Sequence, residues 1–374
     1  MNLQYYNPTR MIAREGAVQA SADALAALGT RCLVVTGHSS AKLSGALDDV
    51  TAVLDKAGIP WQVYDKIGQN PLISVCHQGG AAARAFGADF LIGIGGGSPL
   101  DAAKAVAVYA ANPELDAAGI YTGWQTPALP FALVGTTAGT GSEVTPYAVL
   151  TVDESGQKRS VSGPDLFAAA ALGDAKKYTA TLSRDFTVST ALDALCHAVE
   201  SHFSQRADPL SRGFSLPAME LLLPNLEALT TPDVLPDGQG REELYYASIL
   251  AGLAITQTGT CFCHTMGYVL SEEYGVPHGV ACAVFLGEYL AVCEREVEPQ
   301  VFGDFMDFLG TSMDEITDLV ARLVKTELPV LDDGRIEELL DRWDGVSNMR
   351  NTPGRFDRDR QREVAKRILQ GGSQ

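Results

Sequence analysis

The sequence has no uninterrupted apolar run near the ~18 residues of a membrane span. Its start, MNLQYYNPTRMIAREG, has no apolar signal core. Basic residues are scarce, 28 Lys and Arg against 46 Asp and Glu, for a net charge of −18. A phosphate backbone or anionic membrane would repel most of such a surface, which excludes nucleic-acid and membrane partners. Seven cysteines over 374 residues are too few and too scattered for a disulfide scaffold. Free thiols in a reducing compartment, hence a cytoplasmic protein, are expected. No internal repeat or low-complexity linker is present, and Gly371–Gln374 reads as a loose end. What remains is a 46% hydrophobic composition, ample for a packed interior. The length exceeds what one core usually fills, so two domains are expected.

The first half alternates. Short buried strands at 32–36, 61–64, 90–94 and 131–134 are separated by helical stretches at 16–28, 41–57, 73–87 and 98–111. That order predicts a mostly parallel sheet covered on both faces, with ligands outside the carboxyl ends of its strands. From about residue 184 the strand signal ends. Segments 184–203, 241–258, 280–294, 299–309, 313–326 and 358–369 have helical period. The boundary falls near residue 180, giving an α/β domain over 1–180 and a helical domain over 181–374.

The strongest local signal is Gly95-Gly96-Gly97-Ser98-Pro99-Leu100-Asp101-Ala102-Ala103-Lys104, after a buried strand and opening a helix. Glycines let the backbone approach a ligand, and a helix N-terminus directs free N–H groups at a diphosphate. The spacing is not GxGxxG, so a standard Rossmann domain is not established by it, and a plain strand-to-helix turn would look alike. The loop after the next strand holds Thr136, Thr137, Thr140, Ser142 and Thr145 among three glycines. Such a loop suits phosphate and ribose, or is simply a turn. Two of them at one sheet edge favour a nucleotide.

In the helical half, Asp193 and His197 stand four apart on one helix face, at metal-chelating spacing. His264 and His278 follow in apolar or small-residue contexts that predict buried imidazoles. One carboxylate and three neutral imidazoles suit a borderline cation, Fe²⁺ or Zn²⁺. His38 reads as an exposed loop residue or a neighbour of a 2′-phosphate, and His77 and His202, with no motif partner, read as surface or helix-face residues. Cys196, Cys261, Cys263, Cys282 and Cys293 cluster in sequence near the ligands. They are assigned to small-residue packing. The charge alternation of 355–362 reads as a solvated helix face.

These motifs together resemble the iron-containing (group III) alcohol dehydrogenases. The residues that carry the resemblance are Thr190 to Glu200 around Asp193 and His197, His264, the Pro277-His278-Gly279 context, Gly95 to Lys104, Thr136 to Thr145, and Asn70-Pro71. It runs from Asn7-Pro8 to Asn351. It implies a Rossmann-like α/β cofactor domain followed by an all-α metal domain, the dehydroquinate synthase-like superfold. The implied activity is reversible alcohol oxidation, or aldehyde reduction, with NAD(P)(H) and Fe²⁺, in a homodimer or higher oligomer. Asp193, His197, His264 and His278 are the implied metal ligands. Gly95, Gly96, Gly97, Ser98, Asp101, Asn70, Thr136, Thr137, Thr140, Ser142, Thr145 and Lys158 are the implied cofactor contacts.

Three departures stand out. Ser183 and Ala175 replace turn residues common in the family. Tyr268 stands where many relatives have a second histidine, so a proton relay there would use its phenol or water. Gly37 ends the first strand where NAD-selective relatives place aspartate, and Ser39, Ser40 and Lys42 follow it. A small residue with hydroxyls and a cation nearby accommodates a 2′-phosphate, which favours NADP(H) with NAD(H) also usable. Val149, Ala254 and Phe262 are the expected pocket walls for a short alcohol or aldehyde. A lyase of the same superfold with a recycled NAD is the competing reading, and a non-catalytic nucleotide-binding module is a third.

Overall fold

In the computed structural model, which describes residues 4–371, the chain packs as two compact units that meet at Leu182/Ser183 in sequence. Residues 372–374 of the expected loose end lie outside the described residues.

The first unit holds β1 (Arg10–Ala13), β2 (Cys32–Gly37), β3 (Trp61–Ile67), β4 (Phe90–Gly95), β5 (Phe131–Gly135), β6 (Tyr147–Thr151), β7 (Lys158–Ser162) and β8 (Ala170–Gly173). Six of them make one sheet in the order β1-β8-β5-β4-β2-β3, parallel throughout. Alternate residues of each central strand face opposite cores. Leu33, Val35, Leu91 and Leu133 meet the helix Gly97–Ala111, while Val34, Ile92 and Val134 share the other core with Ala46, Val50 and Leu54 of Ala46–Lys56. Both faces are therefore dry, which is why these strands read as unbroken apolar runs. The chain runs from β2 out to β3 on one side and from β4 out to β5 on the other. The direction of winding thus reverses between adjacent β2 and β4. Gly37 and the Gly95–Gly97 turn sit at the carboxyl ends of those two strands, where a doubly wound sheet opens a crevice. β6 and β7 form a separate antiparallel hairpin.

The second unit contains no strand among the described residues. Its central helix, Arg184–Phe203, is capped by Ser183, whose hydroxyl accepts from Phe186 N–H at 3.2 Å. The departure from the family turn residue thus supplies a standard N-cap. Pro209–Leu229, Gly238–Thr258 and the short helix His278–Ala283 pack against it. Four expectations need correction here, the first being that the stretch 16–28 is two short helices, Ala17–Ala20 and Ala22–Ala26. The predicted 280–294 helix is two helices, His278–Ala283 and Leu286–Glu296. The segment 41–57 likewise breaks at Gly45, into Ser40–Leu43 and Ala46–Lys56. His202 is no surface residue. It is 3% exposed, bonded through Nδ1 to Ser215 Oγ at 3.0 Å, and burial pushes its pKa down to about 3. All seven cysteines are buried and free. No helix of the described residues is long and apolar enough to cross a membrane.

Candidate active site

In the α/β unit the glycine turn and the hydroxyl loop are side by side. Gly95 is in register with Gly135, and Thr136 N–H donates to Gly95 O at 2.9 Å. A Cβ at Gly97 would fall 2.7 Å from Thr140 Cγ2, and one at Gly96 2.9 Å from Thr137 Cγ2. The helix Gly97–Ala111 has no side-chain cap and no acidic residue in its first turn. Its free N–H groups leave the positive end of the helix dipole at the carboxyl edge of the sheet. Asn70 adopts φ 56° and its N–H donates to Ser98 Oγ at 3.3 Å, bringing those two candidates together as well.

The structure divides the other cofactor candidates by role. Lys104 is fully buried, and its ammonium donates to Ser142 O at 2.7 Å, Ser142 Oγ at 3.0 Å and Tyr147 O at 2.5 Å. Burial pushes its pKa down, and Asp101 at 3.5 Å opposes that. Asp101 accepts from Ser142 Oγ at 2.6 Å and from Val149 N–H at 2.9 Å. Thr145 Oγ1 lies 3.4 Å from the same ammonium. Asp101, Ser142 and Thr145 thus bind the loop to the helix, whereas Thr137 and Thr140 stand at the turn, partly exposed. Sequence reading gave Lys104 no role. The Asp-x-x-Lys spacing, which puts both side chains on one helix face, was the available signal. Lys158 is in β7 opposite Thr151. His38, Ser39, Ser40 and Lys42 are exposed beyond Gly37.

In the helical unit the four ligand candidates converge. Asp193 Oδ1 lies 3.4 Å from His264 Nε2, 3.6 Å from His278 Nε2 and 3.9 Å from His197 Nε2. The His197 and His264 rings are stacked, 4.4 Å between centroids. Gly279 makes the approach of His278 possible. A Cβ there would fall 1.7 Å from Ser189 O and 2.8 Å from Asp193 N, so only glycine lets the short helix press this close to Arg184–Phe203. Burial pushes the Asp193 carboxyl up, but His197, His278 and His264 more than reverse it and hold it well below the usual carboxylate range. His264 is buried as expected, whereas the side chain of His278 is 30% exposed.

One further residue belongs here. The Glu200 carboxylate, 0% exposed, takes a short hydrogen bond from His264 Nδ1. That holds a proton on Nδ1, so when a metal displaces any proton from Nε2 it is Nε2 whose lone pair faces Asp193. Glu200 lies seven residues after Asp193, on the same helix face, which was its sequence signal. Asp193 Oδ1 and His264 Nε2 are buried without a hydrogen-bond partner. A divalent cation would satisfy both, and an ionised carboxylate among imidazoles is chemically suited to one. The residues fit the metal.

The Tyr268 ring stacks on His278 at 5.5 Å, and burial pushes its phenol pKa up, keeping it protonated. Of the expected pocket walls, Val149 is in β6, bonded to Asp101, and Ala254 is fully buried in Gly238–Thr258. Phe262 is buried between Phe356, stacked at 4.3 Å, and the edge of Tyr289. The structure thus gives Phe262 a place in the core.

Residues 8–175 match the sequence profile of iron-containing alcohol dehydrogenase, and 187–327 that of the C-terminal part of the Fe-containing alcohol dehydrogenase family. The chain belongs to the iron-containing alcohol dehydrogenase family. It is 32% identical to the 1,3-propanediol dehydrogenase of Klebsiella pneumoniae over 80% of this chain and 79% of that one. A crystal structure of an iron-containing alcohol dehydrogenase superposes with a TM-score of 0.89 at 33% identity, covering 99% of both chains. The sulfoacetaldehyde reductase of Bifidobacterium kashiwanohense, solved with NAD⁺, does so with 0.87 at 25% identity, again over 99% of each. This family of alcohol and aldehyde oxidoreductases has the fold described above, a parallel sheet with flanking helices followed by a mostly helical part.

Proposed function

We propose that the protein interconverts a short-chain alcohol and its aldehyde, using a divalent metal, Fe²⁺ or Zn²⁺, and NADP(H) in preference to NAD(H). Residues 1–180 would hold the cofactor and 181–374 the metal and substrate. The observation that carries this reading is the pair of buried, unsatisfied atoms Asp193 Oδ1 and His264 Nε2, with His278 and His197 around them. Asp193, His197, His264 and His278 would hold the metal. When bound, it supplies Lewis acidity toward a substrate oxygen. The chain's own residues do the rest. Asp193 would contribute negative charge, Glu200 would keep His264 in the ligating tautomer, and the Tyr268 phenol, stacked on His278, would exchange a proton. The uncapped first turn of Gly97–Ala111, with Thr137 and Thr140, would take the diphosphate. A homo-oligomer in the cytoplasm is part of the proposal.

The test is anaerobic reduction of short aldehydes by the Fe²⁺-loaded protein, following NADPH and NADH consumption. Chelation should abolish turnover and Fe²⁺ should restore it. Net consumption of reduced cofactor separates this reaction from a lyase that recycles NAD. Turnover indifferent to chelation would overturn the metal's role.

Cofactor choice should respond to Gly37→Asp. A Cβ at Gly37 meets only ordinary contacts, Ile67 O and Ser40 Oγ at 3.5 Å and Pro99 Cγ at 3.6 Å, so the side chain can be seated. The carboxylate would repel a 2′-phosphate and accept from a 2′-hydroxyl. One charge-assisted hydrogen bond is worth about 1.5–3 kcal/mol. That predicts a swing of about ten- to a hundredfold toward NADH in the ratio of kcat/KM values. A wild type already preferring NADH tenfold would show that Gly37 does not govern the choice.

A further inference from the structure

Two helices each carry a pair of donors four residues apart, and the pairs face one another. Asp193 and His197 come from Arg184–Phe203, and His278 and Cys282 from His278–Ala283, which the close contact at Gly279 presses against it. Cys282 Sγ lies 3.8 Å from His278 Nδ1 and 3.9 Å from Nε2. Donor atoms of Asp193, His264, His278 and Cys282 all lie within 4.8 Å of one another. Metal bonds of about 2.0–2.1 Å to nitrogen or oxygen and about 2.3 Å to sulfur set tetrahedral donor–donor edges near 3.3–3.6 Å. The observed separations from Asp193 Oδ1 to His264 Nε2 and His278 Nε2 are 3.4 and 3.6 Å, and that from His278 Nε2 to Cys282 Sγ is longer at 3.9 Å. Two atoms of the group, Asp193 Oδ1 and His264 Nε2, are buried and unsatisfied, on residues 3% and 2% exposed. The other cysteines are placed differently. Cys261, for example, donates to Glu200 O.

We propose that Cys282 Sγ is a direct metal donor, added to Asp193, His197, His264 and His278, and that this sulfur tilts the centre toward zinc and away from iron(II). The proposal rests on the reading that the centre holds a divalent cation. Coordination replaces the S–H bond by a sulfur–metal bond, and the proton passes to solvent. A thiolate is softer than a carboxylate or an imidazole, and softer donors favour Zn²⁺ over Fe²⁺ beyond the general order of affinities. The packing assignment made from sequence is therefore revised for Cys282 alone, because its i, i+4 relation to His278 turns it toward Asp193 rather than into the helix interior.

Cobalt(II) separates the possibilities. The purified protein, stripped of metal and reloaded with Co²⁺ anaerobically, should show a sulfur-to-cobalt charge-transfer band in the near ultraviolet besides the visible bands of bound cobalt. Cys282→Ser and Cys282→Ala should keep the visible bands and lose the ultraviolet one, while Cys263→Ser keeps both. In competition, the zinc-to-iron(II) affinity ratio should fall by about tenfold or more in Cys282→Ser, since even outer partners of a metal ligand change affinity that much. Visible bands without a charge-transfer band in the wild type, or a band that survives Cys282→Ala, would overturn the sulfur donor and leave the metal reading standing. A protein that takes up no cobalt would overturn both.

Discussion

His278→Ala should purify folded, take up no metal at its former affinity, and lose turnover by about three decades or more. A Lewis acid contributes several kcal/mol to such a reaction, and each 1.36 kcal/mol is a decade in rate. The fold should survive because the His278 side chain is 30% exposed at the edge of the helix it begins. His264→Ala is a poorer choice. It would strip the fully buried Glu200 of its imidazole partner, leaving only the backbone N–H of residue 264 at 3.4 Å, and breaking a buried charged pair costs about 3–5 kcal/mol of stability. Glu200→Gln gives the graded version. It keeps an acceptor for His264 Nδ1 but removes the charge, so metal affinity should fall about 10- to 100-fold with the fold intact. Metal content by elemental analysis, melting temperature and kcat/KM together distinguish these outcomes. A fully active His278→Ala enzyme would remove His278 from the centre.

What was legible in the sequence follows physical lines. The strands β2, β4 and β5 stood out because both sheet faces are covered and their residues are apolar throughout. β1 was missed because it is an edge strand with a half-exposed pattern, and β8 because Ala-Ala-Leu-Gly has little strand preference. β7 reads Lys-Arg-Ser-Val-Ser and is mostly exposed. The helix Pro209–Leu229 was hidden by Pro217 and Pro224 within it, residues that normally end a helical pattern. The first nine residues of Phe262–Glu273, which include His264, are buried but for Tyr268, so they have no polar face to reveal their period. The site was legible as residue types at fixed spacing, Asp193 with His197 above all. Its support was not. The burial of Glu200 and the turning of Cys282 toward Asp193 depend on how closely helices distant in sequence cross. The Pro-His-Gly context marked the place of that crossing without giving its reason.

Gly97→Val should weaken nucleotide binding while leaving metal content untouched, because the two sites are built from different compact units. The first atom of any side chain at this position would lie 2.7 Å from Thr140 Cγ2 and 3.2 Å from Thr140 Cβ, well inside van der Waals contact. Relief requires the loop 136–145 to move. That loop is held by Lys104 through Ser142 and Tyr147, so it resists. Overpacking of this kind costs about 1–3 kcal/mol of stability. The first-turn N–H groups would then meet an anion at the wrong distance. Losing one charge-assisted bond costs about 1.5–3 kcal/mol, or roughly ten- to a hundredfold in Kd, for NADPH and NADH alike. The steric account also predicts a rescue. Thr140→Ser removes Cγ2, the nearest atom, so in the Gly97→Ala background it should recover part of the lost affinity. In the wild-type background the same change should do little. Nucleotide Kd by fluorescence titration across the four combinations measures the coupling. Unchanged affinity in Gly97→Val would remove the turn from the cofactor site. A loss with no rescue by Thr140→Ser would mean that the glycine serves close approach of the ligand itself rather than contact between the two loops.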